Sequence, residues 1–148
     1  MTRARRGGLT RVEKPWGWEL WWAHTDRYVG KILHITRGGA LSYQFHRVKD
    51  ETIYVLRGTL EIELAPGGGR RRRRRLEAGE GVRIRPGDRH RMTAITTCDV
   101  LEASTPEVDD VVRLEDRYGR AEGAAPAKAP RRVQPMAAAR APRARGGI

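Results

Sequence analysis

The 148-residue chain has room for one domain, and its Lys+Arg 30 against Asp+Glu 18 set the net charge at +12. That charge is local: residues 1–8 hold three Arg and no acid, residues 121–148 hold five Arg and one Lys against one Glu, and without the run Arg70 to Arg75 residues 9–120 would stand at −2, which argues against a fold built around nucleic acid. No stretch reaches the roughly 18–20 apolar residues of a membrane span, no apolar region follows the first charges as in a secretory signal, and Cys98 as the only cysteine excludes an intrachain disulfide and a cysteine-based zinc site. The expectation is a soluble, cytoplasmic protein.

Residues 1–10 read as a disordered basic lead-in and residues 11–120 as the folded domain. Trp16, Trp18, Trp21 and Trp22 fall within seven residues, and so large a cluster must bury its rings at one end of the fold or in a dimer interface. Residues 28–36 are rich in β-branched side chains and read as a strand, which Gly38 and Gly39 break. Segments 40–46, 51–56 and 59–64 follow as short strands, with Arg57-Gly58 as the turn between the last two. Glu61-Ile62-Glu63-Leu64 alternates as a strand with one wet face does. Residues 65–75 read as a flexible hairpin tip, because six like charges repel one another. Strand signals resume at 81–85, 90–96 and 100–103, and residues 107–120 read as a short helix or a closing strand. From 121 to 148 the chain is Ala, Pro, Arg and Gly, too poor in apolar bulk to offset its own entropy, and reads as a disordered tail. Short strands punctuated by Gly and Pro predict an all-β barrel or sandwich.

Two of the four histidines sit in patterned surroundings. Five residues separate Gly38 from Gln44, then His46 follows, four residues lead to Glu51 and six more to Gly58. Downstream, five residues separate Gly79 from Arg85-Pro86-Gly87, and two more lead to His90. Residues two apart in a strand share a face, so Gln44 and His46 point the same way. Glu51 can face them from the returning strand, and His90 can close the opposite wall. Two imidazoles, one carboxylate and one amide then converge, a donor set suited to Zn, Mn, Fe, Ni or Co. His34 reads as an ordinary strand residue and His24 as a turn residue. Lys31, Lys49, Arg91 and Arg113 are candidates for gripping an anionic substrate, although Lys49 reads better as part of a solvated face. The Arg70 to Arg75 run has no interleaved aromatics for stacking bases and reads as a solvated loop.

These two spacings resemble the paired motifs of the cupin superfamily. More narrowly, Lys14-Pro15-Trp16-Gly17, the Gln44 to Gly58 segment and the ending Val112-Arg113-Leu114-Glu115-Asp116-Arg117-Tyr118-Gly119-Arg120 resemble the type II phosphomannose isomerase group of cupins. The resemblance covers residues 12–120. Gln44 stands where the family has its first histidine, Arg85 where it has the first proline and Ala94 where it has the final asparagine. Glutamine is a neutral, weaker ligand, so the metal should be held less tightly unless water or substrate completes its shell. The resemblance implies a single cupin β-barrel (jelly roll) and a divalent metal held by His46, Glu51, His90 and Gln44. It also implies a sugar or sugar-phosphate substrate bound by Gln44, Arg91 and Arg113, and aldose–ketose isomerisation through an enediol like that of mannose-6-phosphate isomerase. Longer members of the group add a nucleotidyltransferase domain, for which this chain has no room. Glu51 and Lys31 are the catalytic candidates, with Lys31 as the base. Pairing of sheet edges implies a homodimer. A sugar- or anion-binding cupin without turnover, and an Fe(II)-dependent dioxygenase, are the competing expectations.

Overall fold

A computed structural model describes residues 9–121 of the chain. The two predicted disordered ends, apart from residues 9, 10 and 121, lie outside the described residues. Within them run strands β1 (Thr10–Lys14), β2 (Gly17–His24), β3 (Val29–Ile35), β4 (Tyr43–Phe45), β5 (Glu51–Arg57), β6 (Leu60–Ala65), β7 (Arg72–Leu76), β8 (Gly81–Ile84), β9 (Arg89–Ala94), β10 (Cys98–Ser104) and β11 (Val112–Glu115). They form two antiparallel sheets, ordered β1-β2-β3-β10-β5-β8 and β11-β4-β9-β6-β7. The period-two patterning sets which side chains turn inward: Leu33, Ile35, Ile53, Val55 and Val100 from the first sheet meet Leu60, Ile62, Met92 and Ala94 from the second. The all-β barrel expected from the sequence is the fold observed. Among the described residues no helix is long and apolar enough to cross a membrane.

Gly58 shows why the first motif ends in glycine. Its φ of +87° lies in the left-handed region, and a Cβ there would come within 2.3 Å of the Thr97 carbonyl oxygen. Only glycine lets β5 turn into β6 at that point.

The arginine run departs from the reading of residues 65–75 as a flexible loop. Only the tip, Pro66–Gly68, is a turn, while residues 72–76 form β7 and pair with β6. The register puts Arg73 opposite Glu63 and Arg75 opposite Glu61, and fully buried Leu76 opposite Leu60. Cross-strand carboxylates offset the repulsion within the run, and the leucine anchors its end. Two smaller corrections concern boundaries. Thr10 already belongs to β1, and of the two readings of 107–120 the closing strand, β11, is the one found.

Glu63 is the hub of that outer surface. It is buried beneath Arg91 and Arg71, each 2.6 Å from one of its oxygens. Burial opposes the charge, but hydrogen bonds from the two guanidinium groups hold its carboxyl below the ordinary 4.5. A folded-state value below the unfolded one adds stability that is present above about pH 4.5 and is lost as pH falls toward the folded value. Glu63→Gln is therefore expected to cost about 1–3 kcal/mol at neutral pH. It should also flatten the acid limb of a pH–stability curve measured by urea unfolding.

Candidate metal centre

His46 directly follows β4, Glu51 opens β5, and His90 lies in β9 opposite Gln44. The two sheets thus bring the three side chains to one buried point. His46 Nε2 lies 3.5 Å and His90 Nε2 3.3 Å from the same oxygen, Oε1 of Glu51. Each imidazole uses its other nitrogen on the backbone: His46 Nδ1 donates to the Asp110 carbonyl at 2.5 Å and His90 Nδ1 to that of Asp88 at 3.0 Å. Those bonds select the tautomer and turn both Nε2 lone pairs toward the carboxylate. Nε2 of His46 and His90 are buried without a hydrogen-bond partner, both facing Glu51 Oε1, while Glu51 Oε2 is engaged by the Lys49 ammonium 2.8 Å away. Acceptors facing acceptors in a dry site are costly unless a cation lies between them. Ligand atoms about 2.1 Å from a tetrahedral ion stand about 3.4 Å apart, which is the spacing between each imidazole Nε2 and Glu51 Oε1. The donor set fits a divalent metal.

The segment that carries His46 is held by one distant residue. The Asp110 carboxylate accepts the backbone N–H groups of Arg47, Val48 and Lys49 at 3.0, 2.7 and 2.8 Å, while its carbonyl takes the His46 proton. Burial works against that carboxylate, yet the three N–H groups hold it below its usual range. Asp110→Ala frees the turn without touching a ligand atom. The expected result is a metal affinity about 10–100-fold weaker, read by competition with a chelating dye, with the fold retained by circular dichroism.

A cavity of about 610 Å³ opens onto His46 and Glu51. Along its wall acids and bases alternate. Lys49 Nζ lies 2.8 Å from Glu51 and 3.4 Å from Glu102; Lys31 Nζ lies 3.9 Å from Glu102 and 3.5 Å from Glu19; Lys14 Nζ lies 3.9 Å from Glu19. Trp21 donates to Glu19 at 2.8 Å and lies beneath the Lys31 ammonium, 4.4 Å away. Burial opposes ionisation of Glu51, but the ammonium of Lys49 helps to hold its carboxyl well below the ordinary range. Glu102 is shifted the other way. Burial and the nearby Glu51 and Glu19 push its carboxyl up, against the pull of Lys49 and Lys31.

The expected site residues separate into two groups. Gln44, Lys31 and Arg113 line the cavity with His46 and Glu51. Gln44 shares a register position with His90, and its carbonyl oxygen accepts from the Ser42 hydroxyl at 2.5 Å. Arg91 does not join them. Strand parity turns His90 and Met92 inward and sends Arg91 to the outer surface, where it pairs with Glu63. Lys49, read as solvated, is instead buried between two carboxylates. His34 is on the outer surface, stacked on Trp18 and bonded to Asp99 at 2.7 Å. Glu19 and Glu102 escaped notice in the sequence, though Glu102 has the parity of inward Val100, and Glu19 that of Trp21.

Residues 31–103 match the family model of the cupin domain. The barrel, with a cluster of His46, Glu51 and His90 that could hold a metal ion, is thus similar to a cupin domain over those 73 residues. Its structure is similar to that of KdgF from Halomonas sp., with a TM-score of 0.58 and 22% identity over 68% of this chain and 89% of that one. It is also similar to oxalate decarboxylase from Bacillus subtilis (TM-score 0.63, 14% identity, 72% of this chain and 30% of that one). A third likeness is to the capsular polysaccharide assembling protein CapF from Staphylococcus aureus (TM-score 0.61, 19% identity, 73% and 34%). The chain spans about a third of each of the last two proteins. At these identities the likeness is one of fold. No curated protein sequence matches the chain.

Proposed function

We propose that this protein is a metal-dependent sugar isomerase, of the kind the resemblance to type II phosphomannose isomerases implies. The reading rests above all on the two orphaned Nε2 acceptors of His46 and His90, which face Glu51 Oε1 beside a cavity that also holds the buried carboxyl of Glu102. The Bacillus subtilis oxalate decarboxylase of like fold has Mn(II) centres, and Zn, Mn, Fe, Co and Ni all suit the donors here. When bound, the metal supplies Lewis acidity to the carbonyl and neighbouring hydroxyl of an open-chain sugar. His46, Glu51 and His90 hold it, and Gln44 supplies a fourth oxygen or binds the sugar beside it.

Glu102 stands one ammonium away from Glu51. In this scheme it takes the proton from C2 and returns it at C1, so that the substrate passes through an enediol. Burial makes Glu102 hold a proton more tightly than an exposed carboxylate does, which suits it to that exchange. Lys31, with its Nζ between Glu19 and Glu102, donates to the substrate oxygen on which charge develops. Trp21 keeps water from that side.

Deuterium incorporation into fructose 6-phosphate and mannose 6-phosphate in D2O tests the proposal, using protein reloaded separately with Zn, Mn, Co and Fe(II). Metal-dependent exchange that disappears in His46→Ala and falls at least about a hundredfold in Glu102→Gln is expected. Full turnover in Lys31→Ala would remove Lys31 from the scheme. No exchange with any metal would reject the isomerase reading.

A further inference from the structure

We propose that the outer surface of the second sheet binds the phosphate backbone of a nucleic-acid duplex through Arg47, Arg73, Arg75 and Arg89. The inference goes beyond the isomerase reading and uses none of its residues. Strand parity builds the surface. Gln44, His90 and Ile62 point inward, so Tyr43 and Phe45 on β4, Arg89 and Arg91 on β9, and Glu61 and Glu63 on β6 point outward. Register then sets Arg91, Glu63 and Arg73 in one row across three strands, and Thr93, Glu61 and Arg75 in the next. β7 is the edge of the sheet. Read as a loop, the arginine run is a diffuse charge; as β7, it is an ordered one.

Charge identifies the partner as an anion. The guanidinium groups of Arg47, Arg71, Arg73, Arg75, Arg89 and Arg91 share this surface with the carboxylates of Glu61, Glu63 and Glu115. The carboxylates are occupied. Glu63 is held by Arg71, Arg91 and Arg73 at 2.6, 2.6 and 3.6 Å, Glu115 by Arg71 and Arg91 at 3.0 and 3.3 Å, and Glu61 lies 4.0 Å from Arg73. Among the described residues no carboxylate lies within ion-pair distance of Arg47, Arg75 or Arg89, and all three are exposed. The described lysines, Lys14, Lys31 and Lys49, all line the cavity, so the cations of this surface are guanidinium groups alone. Their forks grip phosphate oxygens in pairs, which an ammonium does not.

Geometry narrows the anion to a duplex backbone. Arg71 lies 3.8 Å from the centre of the Tyr43 ring, and Arg47 and Arg89 each lie 5.9 Å from that of Phe45. A guanidinium stacked on an aromatic face keeps its N–H edges for other partners. Same-side residues of a strand, such as Arg73 and Arg75, stand about 6.8 Å apart, close to the distance between neighbouring phosphates on one strand of a duplex. Tyr43 is buried and Phe45 is flanked by two arginines, so neither ring offers an open face for stacking bases. That favours a duplex, whose bases are already stacked, over a single strand. Contacts to phosphate alone read no sequence.

Fluorescence anisotropy of the full chain with a short labelled DNA duplex, titrated at salt concentrations from about 50 to 200 mM, decides the matter. The expected result is binding that weakens steeply with salt. Replacing Arg47, Arg75 and Arg89 together with glutamine should weaken it at least about tenfold at low salt and lower the slope of log affinity against log salt by about 2.7. The melting temperature should hold, because none of the three has an ion pair to lose. Lysine at the same positions should restore the slope, which counts charges. The basic ends, residues 1–8 and 121–148, are the competing source of charge; a chain with their arginines replaced by glutamine should still bind and still respond to the triple substitution. A triple variant that binds like wild type, or binding that vanishes with the terminal arginines, would overturn the surface. Tighter binding of a single-stranded oligonucleotide would reject the duplex, and equal binding of a polyuronate of the same length would reject the phosphate.

Discussion

Replacing His90 with alanine is expected to strip the protein of its metal. If a site of this kind contributes about 12 kcal/mol of binding free energy, removing one ligand of three costs about 4 kcal/mol, or on the order of a thousandfold in affinity. The loss is specific because both remaining acceptors, His46 Nε2 and Glu51 Oε1, lose the geometry that His90 completes. His34→Ala is the control: that imidazole lies on the outer surface against Trp18 and Asp99, and its loss should leave metal affinity unchanged. Metal content after dialysis against a weak chelator reads both. Wild-type protein should also gain melting temperature on loading, whereas His90→Ala should gain little.

The second large effect belongs to Lys49. Its ammonium is buried between Glu51 and Glu102, at 2.8 and 3.4 Å. Burial works against the charge, but Glu102 and Glu51 together hold its proton more tightly than usual. Lys49→Met fills similar space and leaves two carboxylates facing each other in a dry site. The expected cost is about 3–5 kcal/mol, or more than about 10 °C in melting temperature for a domain of this size. Glu102→Gln in the same chain removes one of the two charges, so the double variant should recover a good part of the loss. A double-mutant cycle by denaturant unfolding measures that coupling; simple additivity would contradict the ladder of alternating charges.

What the sequence made legible follows from what was local. The Gly38 to Gly58 and Gly79 to His90 spacings encode strands, turns and parity, and these were enough to bring His46, Glu51 and His90 together. Parity was also available for Glu102 and for Arg91, yet a glutamate near a strand end reads as solvated and an arginine near a ligand reads as useful. Lys49 had no such signal. It sits in a turn whose conformation depends on Asp110, 61 residues downstream, and no local pattern reports that contact. The arginine run was misjudged for a related reason: repulsion within the run is visible in the sequence, but the carboxylates of β6 that offset it become neighbours only through strand register. Arg113 owes its place opposite Gln44 to the closing strand, whose position beside β4 a linear reading could not supply.

The most direct test of the metal centre is anomalous diffraction from crystals grown with Mn(II) or Co(II) at a concentration near that of the protein. One strong peak per chain is expected, about 2.0–2.2 Å from His46 Nε2, His90 Nε2 and a Glu51 oxygen, and absent from His90→Ala crystals. A peak elsewhere on the chain, or an unchanged peak in His90→Ala, would contradict the account.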